Sequence, residues 1–200
     1  MDNAEIKHLW PTPVLKANVT DFEIERQYIL QTVKTLREEG ARNIALEENN
    51  TTMGGFQTAH NFLNDPTCSR VGTEIMTTYT EQLWKEMAAQ NPEVPETVDL
   101  QFLSWVVQYD VGSYQNQHLH KSSLLAGLWF LDVDEQDTGA GELHLQNPNT
   151  ASFTLGFYSE VLKLRPKTND VYIFPSWLAH NVTPTTAART VMTWDVMAAP

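Results

Sequence analysis

From about residue 98 onward the chain breaks into short runs of aliphatic and aromatic residues: "LQFLSWVVQYD", "SLLAGLWFLDV", "GELHLQ", "SFTLGF", "EVLKLRP", "DVYIFP" and "RTVMTWDVM". Each run has the length of a strand. Turn signals separate them at Val111-Gly112, Gly139 to Gly141, Asn147 to Asn149 and Lys167 to Asp170. Many short strands at regular spacing predict an all-β sandwich or barrel for this half.

The first half reads differently. "HLWPTPVLKANV" carries two prolines and then a short alternating run, which predicts an edge strand behind a Pro-shaped turn. Thr20 or Asp21 is placed to cap a helix running to about Glu39, with Phe22, Ile24, Tyr28, Ile29, Val33 and Leu36 at helical spacing and Gly40 as its stop. "LEENNTTMGGFQTAHNFLND" is polar and Gly-rich and reads as a loop; around Met53 it has the character of a mobile lid. A second helix is expected behind Asp65-Pro66, continuing to about Gln90, with Val71, Ile75, Tyr79, Leu83, Trp84 and Met87 facing inward. The helical half has too little apolar surface to stand alone. The expectation is therefore one domain over 1–200: a helical part with an opening strand (1–97), packed on one face of a β-region (98–200).

Composition narrows the partners. The formal net charge of −12 argues against nucleic acid, whose phosphates want clustered Lys and Arg, and against an anionic membrane surface. A small molecule or a peptide remains. The one cysteine, Cys68, cannot form an internal disulfide. The opening "MDNAEIKHLWPTP" lacks a secretory pattern and no segment is apolar enough to span a bilayer, so a cytoplasmic protein is expected. The sequence leaves oligomeric state open, a homodimer included.

Of six histidines, two stand one residue apart in "NQHLHKSS". His118 and His120 would share one face of a strand. His180 follows 60 residues later, after "NDVYIFPSWLAH". A ligand pair on one strand and a third ligand several strands away is how a β-barrel builds a metal centre in its mouth, with coordination positions left open. Imidazole suits iron, zinc, copper and nickel alike. A single histidine would read as a hydrogen-bonded surface group; the pair together with His180 favours ligation. Arg189, nine residues after His180, opens an apolar strand. Taken alone it is a strand-end arginine paired with solvent or an acid; if buried, its planar fork suits a carboxylate. His8 and His60 fall outside this pattern, although His60, in "GGFQTAH", could cover the site mouth.

The segments "YDVGSYQNQHLHKSSLLAGLWFLDV", "GELHLQNP" and "DVYIFPSWLAHNVTPTTAARTVMTWDV" resemble the double-stranded β-helix (jelly-roll, cupin-like barrel) core of the Fe(II)/2-oxoglutarate-dependent oxygenases. More narrowly they resemble a group of such oxygenases from marine bacteria and their phages. That group shows H-x-H before a Ser-Gly-aromatic strand, a Gly-x-Leu-x-aromatic-x-x-Pro strand, and Phe-Pro-x-x-Leu-x-His with a downstream Arg. "LWPTPVLKANV" and "GGFQTAHNFL" are similar to its opening, so the resemblance covers most of the chain; its most specific part is Phe174 to Arg189.

The resemblance implies an Fe(II)- and 2-oxoglutarate-dependent dioxygenase that hydroxylates an unidentified substrate. His118 and His180 match the first and distal metal ligands, and Arg189 matches the basic residue that grips the far carboxylate of 2-oxoglutarate. Tyr172 or Gln108 would assist that grip. Trp105, Trp129, Trp177 and Trp194 either line the barrel or, more simply, pack its core. His120 stands where the family usually carries a carboxylate. Either it replaces the acidic ligand, as in the three-histidine centres of thiol dioxygenases, or the acid comes from another strand, Glu142 in "GELHL" being the best placed, with His144 on its face. The relatives' Ser-Gly reads Ala126-Gly127, and Phe56 replaces their usual Trp. Two other readings stand beside this one. The "G-x5-H-x-H" spacing from Gly112 also fits a cupin-like three-histidine enzyme without 2-oxoglutarate, and a degenerate site would leave a non-catalytic binding protein. Only the first needs Arg189.

Overall fold

In the computed structural model, residues 11–48, 50–59, 62–134, 141–151, 156 and 159–199 are described. The expected "SFTLGF" strand, apart from Gly156, and the residues His8 and His60 lie outside them.

The opening strand is present as β1 (Leu15–Asn18). It lies at a sheet edge, where the preceding prolines cost no ladder bonds. A single 3-10 turn, Thr20–Phe22, leads into α1 (Glu23–Glu38). The expected cap at Thr20 or Asp21 is not made; Phe22 occupies the cap position without a side-chain bond. Gly40, at φ +74°, ends the helix as expected, and Ala41 N–H reaches back to Leu36 O at 2.9 Å. Phe22, Ile29 and Val33 are buried, but Ile24 is 79% exposed and does not belong to the apolar stripe.

Two-residue strands β2 (Thr52–Met53) and β3 (Phe56–Gln57) interrupt the expected loop. The second helix begins in pieces. Asp65 caps a 3-10 turn over Pro66–Cys68 by accepting Thr67 N–H. A π-helical stretch follows over Val71–Thr77, in which the Thr77 hydroxyl bonds Gly72 O at 2.9 Å, and α2 (Thr78–Gln90) continues regularly.

Eight strands form the rest: β4 (Leu100–Tyr109), β5 (Tyr114–His118), β6 (Leu125–Asp132), β7 (Leu143–Gln146), β8 (Val161–Leu164), β9 (Asp170–Pro175), β10 (His180–Val182) and β11 (Arg189–Ala198). They build two sheets, ordered β1-β9-β6-β11-β4-β3 and β2-β5-β10-β7-β8. Among the described strands from β4 to β11 the chain passes back and forth between the sheets, and only β7 and β8 are consecutive strands of one sheet. This is the mainly β jelly-roll class expected, with one correction: the described strands stay as two sheets and do not close into a barrel.

Strands β6, β9 and β11 are buried along nearly their whole length, because both faces of the larger sheet are covered. Val106, Trp129, Val171, Ile173, Met192 and Trp194 form one apolar cluster with Ile29, Val33, Val71, Ile75, Leu83 and Trp84 from the helical half. Alternate residues of the same strands, among them Trp105, Val107, Tyr109, Phe130, Tyr172, Phe174 and Val191, meet Leu143, Leu145, Leu178 and Val182 at the smaller sheet. The period of two along each strand thus divides helix-facing residues from those between the sheets. Among the described residues no helix is long and apolar enough to cross a membrane.

Candidate metal centre

Strands β5 and β10 are antiparallel neighbours with His118 directly opposite His180. His120 lies beyond the end of β5, in a turn rather than on the strand. Its N–H bonds Ser176 O at 3.1 Å, and Ser123 N–H bonds back to His120 O. The Ser176 hydroxyl donates to Ser123 O at 2.6 Å, tying this turn to the "PSW" turn that precedes His180. The two turns therefore carry their histidines as one unit.

The ring centroids are 4.1 Å apart for His118–His180 and 5.1 Å for each pair with His120. One ligand atom from each of the three falls within 4.8 Å of the others, the spacing a bound ion needs. The Nδ1 partners define the tautomers. His118 Nδ1–H donates to Asn116 O at 2.8 Å and His180 Nδ1–H to Leu178 O at 2.9 Å. His120 Nδ1 meets Asp195 Oδ1 at 2.5 Å and donates to it. All three Nε2 atoms are left with lone pairs. Those of His120 and His180 face each other at 3.3 Å, an arrangement that repels between neutral rings and is complementary to a cation. Burial, reinforced by the neighbouring imidazoles, pushes His180 down to about 3 and His118 down to about 4, so both keep their lone pairs at neutral pH. The Trp105 ring lies 6.4 Å from His120 and near-parallel to it, and Phe174 sets its edge against His180 at 4.8 Å. This donor set fits a borderline divalent ion with positions open to further ligands.

Arg189 starts β11 on the inter-sheet face and is 5% exposed. Its guanidinium stands 4.9 Å from the Tyr109 ring and 5.7 Å from the Phe130 ring, and it donates to Gly141 O. A cation held in aromatic walls between two sheets has the chemistry to receive a carboxylate.

The remaining sequence candidates separate by strand parity. Tyr172 is on the same face, with Phe130 between it and Arg189; its ring lies 6.0 Å from that of Phe130, and its hydroxyl bonds Asp170 at 3.5 Å. Gln108 is not on that face. It lies on the helix side of β4 and accepts a bond from Arg37 of α1 at 2.8 Å, while Tyr109, opposite Arg189 in the ladder, takes the inward position. Glu142 is not near the histidines. It pairs with His144 at 2.9 Å and with Arg165 at 2.9 Å, on the face of β7 away from the buried Leu143 and Leu145. Trp129 and Trp194 pack in the helix-side cluster, Trp177 is 47% exposed, and only Trp105 borders the histidines.

Asp195 was absent from the sequence reading, although a signal existed. It stands six residues after Arg189, so strand alternation places both on one face.

Residues 103–194 match the model of a family described as "Putative 2OG-Fe(II) oxygenase". The matched span takes in the three histidines and Arg189. No curated protein sequence matches the chain. Among solved structures, a Pseudomonas putida prolyl-4-hydroxylase is similar at 12% identity, covering 94% of each chain with a TM-score of 0.67. A Trichoplax adhaerens prolyl hydroxylase in complex with a hypoxia-inducible-factor peptide is similar at 18% identity, over 92% of this chain and 83% of that one, with a TM-score of 0.61. HygX of Streptomyces hygroscopicus, with nickel and 2-oxoglutarate bound, is similar at 10% identity, over 94% and 83%, with a TM-score of 0.58. At these identities the likeness shows a shared fold.

Proposed function

We propose that this protein is a non-haem Fe(II)- and 2-oxoglutarate-dependent dioxygenase that hydroxylates a small-molecule or peptide substrate. The observation that carries the reading is the convergence of three Nε2 lone pairs, each fixed by its own Nδ1 acceptor. His118, His120 and His180 hold the metal through Nε2, and Arg189 receives the far carboxylate of 2-oxoglutarate as a two-pronged donor. The Phe130 and Tyr109 rings position Arg189, and Tyr172 walls the same cavity. Bound iron and 2-oxoglutarate supply the oxidation of a substrate C–H bond by dioxygen, with 2-oxoglutarate decarboxylated to succinate. The protein's part is ligation, orientation and exclusion of water. The chain works as one domain, since the helices and the larger sheet share one apolar cluster, and its single, buried cysteine suits the cytoplasm.

A three-histidine enzyme that does without 2-oxoglutarate is the second reading, favoured by the lack of a carboxylate in the ligand trio. Anaerobic titration with Fe(II) and then 2-oxoglutarate separates the two. A visible charge-transfer band in the wild type, lost in Arg189→Ala, is the expected result. Iron binding with no band in either protein would leave only the second reading, and no iron binding by the folded wild type would overturn both.

A further inference from the structure

We infer that Asp195 is a positioning residue for the metal centre and supplies, from behind His120, the negative charge that a carboxylate ligand would otherwise bring. This rests on the three-histidine reading above and extends it to a residue outside the ligand set.

The register puts Asp195 on β11 between Leu103 of β4 and Ala126 of β6. Its side chain projects from the inter-sheet face, on the side of Thr193, Val191 and Arg189. The contact to His120 Nδ1 is 2.5 Å, with the two side chains 21% and 7% exposed. With a carboxylate as acceptor it is a charge-assisted bond, stronger than the carbonyl contacts that orient His118 and His180. It does two things to His120. It holds the proton on Nδ1, which keeps the Nε2 lone pair aimed at the 3.3 Å gap facing His180. It also makes the imidazole a better electron donor to a metal, because a carboxylate behind a ligating ring polarises the ring towards its free nitrogen. Trp105 stacks on His120 and fixes the ring plane, but it brings no charge. Of the three histidines, only the one standing where a carboxylate is usual is backed by a carboxylate. The anion is moved back by one ring, not lost.

The test is a double-mutant cycle on the full chain, read by anaerobic Fe(II) affinity and by the energy of the Fe(II)/2-oxoglutarate band. D195N keeps the size of the side chain and can still accept the Nδ1 proton, so it removes charge alone; D195S removes both charge and reach. Partial exposure of Asp195 lets both variants fold, which circular dichroism confirms before titration. Fe(II) affinity should fall about 10–100-fold in D195S and by a smaller factor in D195N. The band should move to higher energy in both, as the metal loses electron density. In the H120A background neither change should weaken Fe(II) further by more than about twofold, because the bonded route from Asp195 to the metal is gone and only the weaker through-space attraction is left. If the wild type binds Fe(II) and D195N and D195S stay within twofold of it with the band unmoved, this inference is overturned while the metal centre stands. An equal loss in the H120A background also overturns it, since Asp195 would then act on the fold. No Fe(II) binding by the folded wild type overturns the metal centre and this inference together.

Discussion

The two faces of the larger sheet are built from the same strands and have opposite characters. Towards the helices, Trp129, Ile173, Met192 and Trp194 are fully buried in a closed apolar cluster. Towards the smaller sheet the same strands present Arg189, Thr193, Asp195 and Tyr172, polar groups set among aromatic rings. Trp194 and Asp195 are adjacent residues with different fates, decided only by the alternation of the strand. The helix face is where the fold can be stabilised by area alone. The inner face holds titratable groups that must be kept uncharged or paired, so it is where stability is given up for chemistry.

That contrast predicts how the metal-free protein responds to acid. The unfolded-state pKa of a histidine is near 6.5, whereas His118 and His180 are pushed down to about 4 and about 3 in the folded state. As pH falls below 6.5 the unfolded chain takes up protons that the folded chain refuses. Stability is thus lost on acidification, at about 1.4 kcal/mol per pH unit for each histidine, until the folded values are reached. Denaturant unfolding of the metal-free protein between pH 7 and pH 4 should show this slope, and His180→Ala should remove close to half of it. A wild-type curve that is flat over this range would mean that the inner face carries no such strain.

The helix face breaks in another way. A Cβ on Gly127 would lie 2.0 Å from Cε2 of Trp194, on a rigid ring in the closed cluster. Gly127→Ala should cost about 3 kcal/mol, the upper end for overpacking, with a fall in Tm of roughly 10 °C. Fe(II) affinity of the protein that remains folded should be unchanged. A variant that kept its Tm but lost the metal would show that the two faces are coupled.

On the inner face, Arg189→Ala should weaken 2-oxoglutarate by about 100-fold, equivalent to ~3 kcal/mol for a lost charge-assisted pair. Arg189→Lys should recover only part of it, because an ammonium cannot match the fork. Fe(II) affinity, measured separately, should hold in both variants. Loss of iron in Arg189→Lys would instead mean that the arginine supports the fold around the histidines.

The sequence revealed the apolar strands well, since β4, β6, β9 and β11 announce themselves by composition. It revealed β5, "YQNQH", only through the H-x-H pair and not as an apolar run, because a strand on the smaller sheet has a polar outer side. It did not reveal β10, three residues that exist by pairing to β5 and β7. His118 and His180 were legible because spacing and the "FPSWLAH" motif coincide. His120 shares the site with His118 as expected, but through a turn and not along a strand. Asp195 was hidden between Trp194 and Val196 as a lone acid in an apolar run. Gln108 faces α1 and Tyr109 takes the inward position, because which residues face inward follows from the β4–β11 register, which no local pattern encodes.

The smallest expected effects test the division most sharply, since they concern neighbours. Gln108 faces α1, where Arg37 donates to it at 2.8 Å and also holds Asp110 through two bonds at 2.8 and 2.7 Å. Gln108→Ala leaves that pair intact and should change stability by no more than about 0.5 kcal/mol. It should leave 2-oxoglutarate affinity as it was. Tyr109 is inward, with its ring under Arg189, and its hydroxyl donates to Gln115 at 3.0 Å; burial pushes its pKa up to about 12, so it is a neutral donor. Tyr109→Phe keeps the ring under Arg189 and loses the hydroxyl's bonds to Gln115 and Arg189, a cost of about 1 kcal/mol each. Tyr109→Leu also removes the aromatic wall and should weaken 2-oxoglutarate several-fold, as a lost cation–π contact of ~1 kcal/mol would. If Gln108→Ala altered 2-oxoglutarate affinity more than Tyr109→Leu, the two faces would not be separate environments, and the register that sets Arg189 opposite Tyr109 would not be the one that builds the cavity.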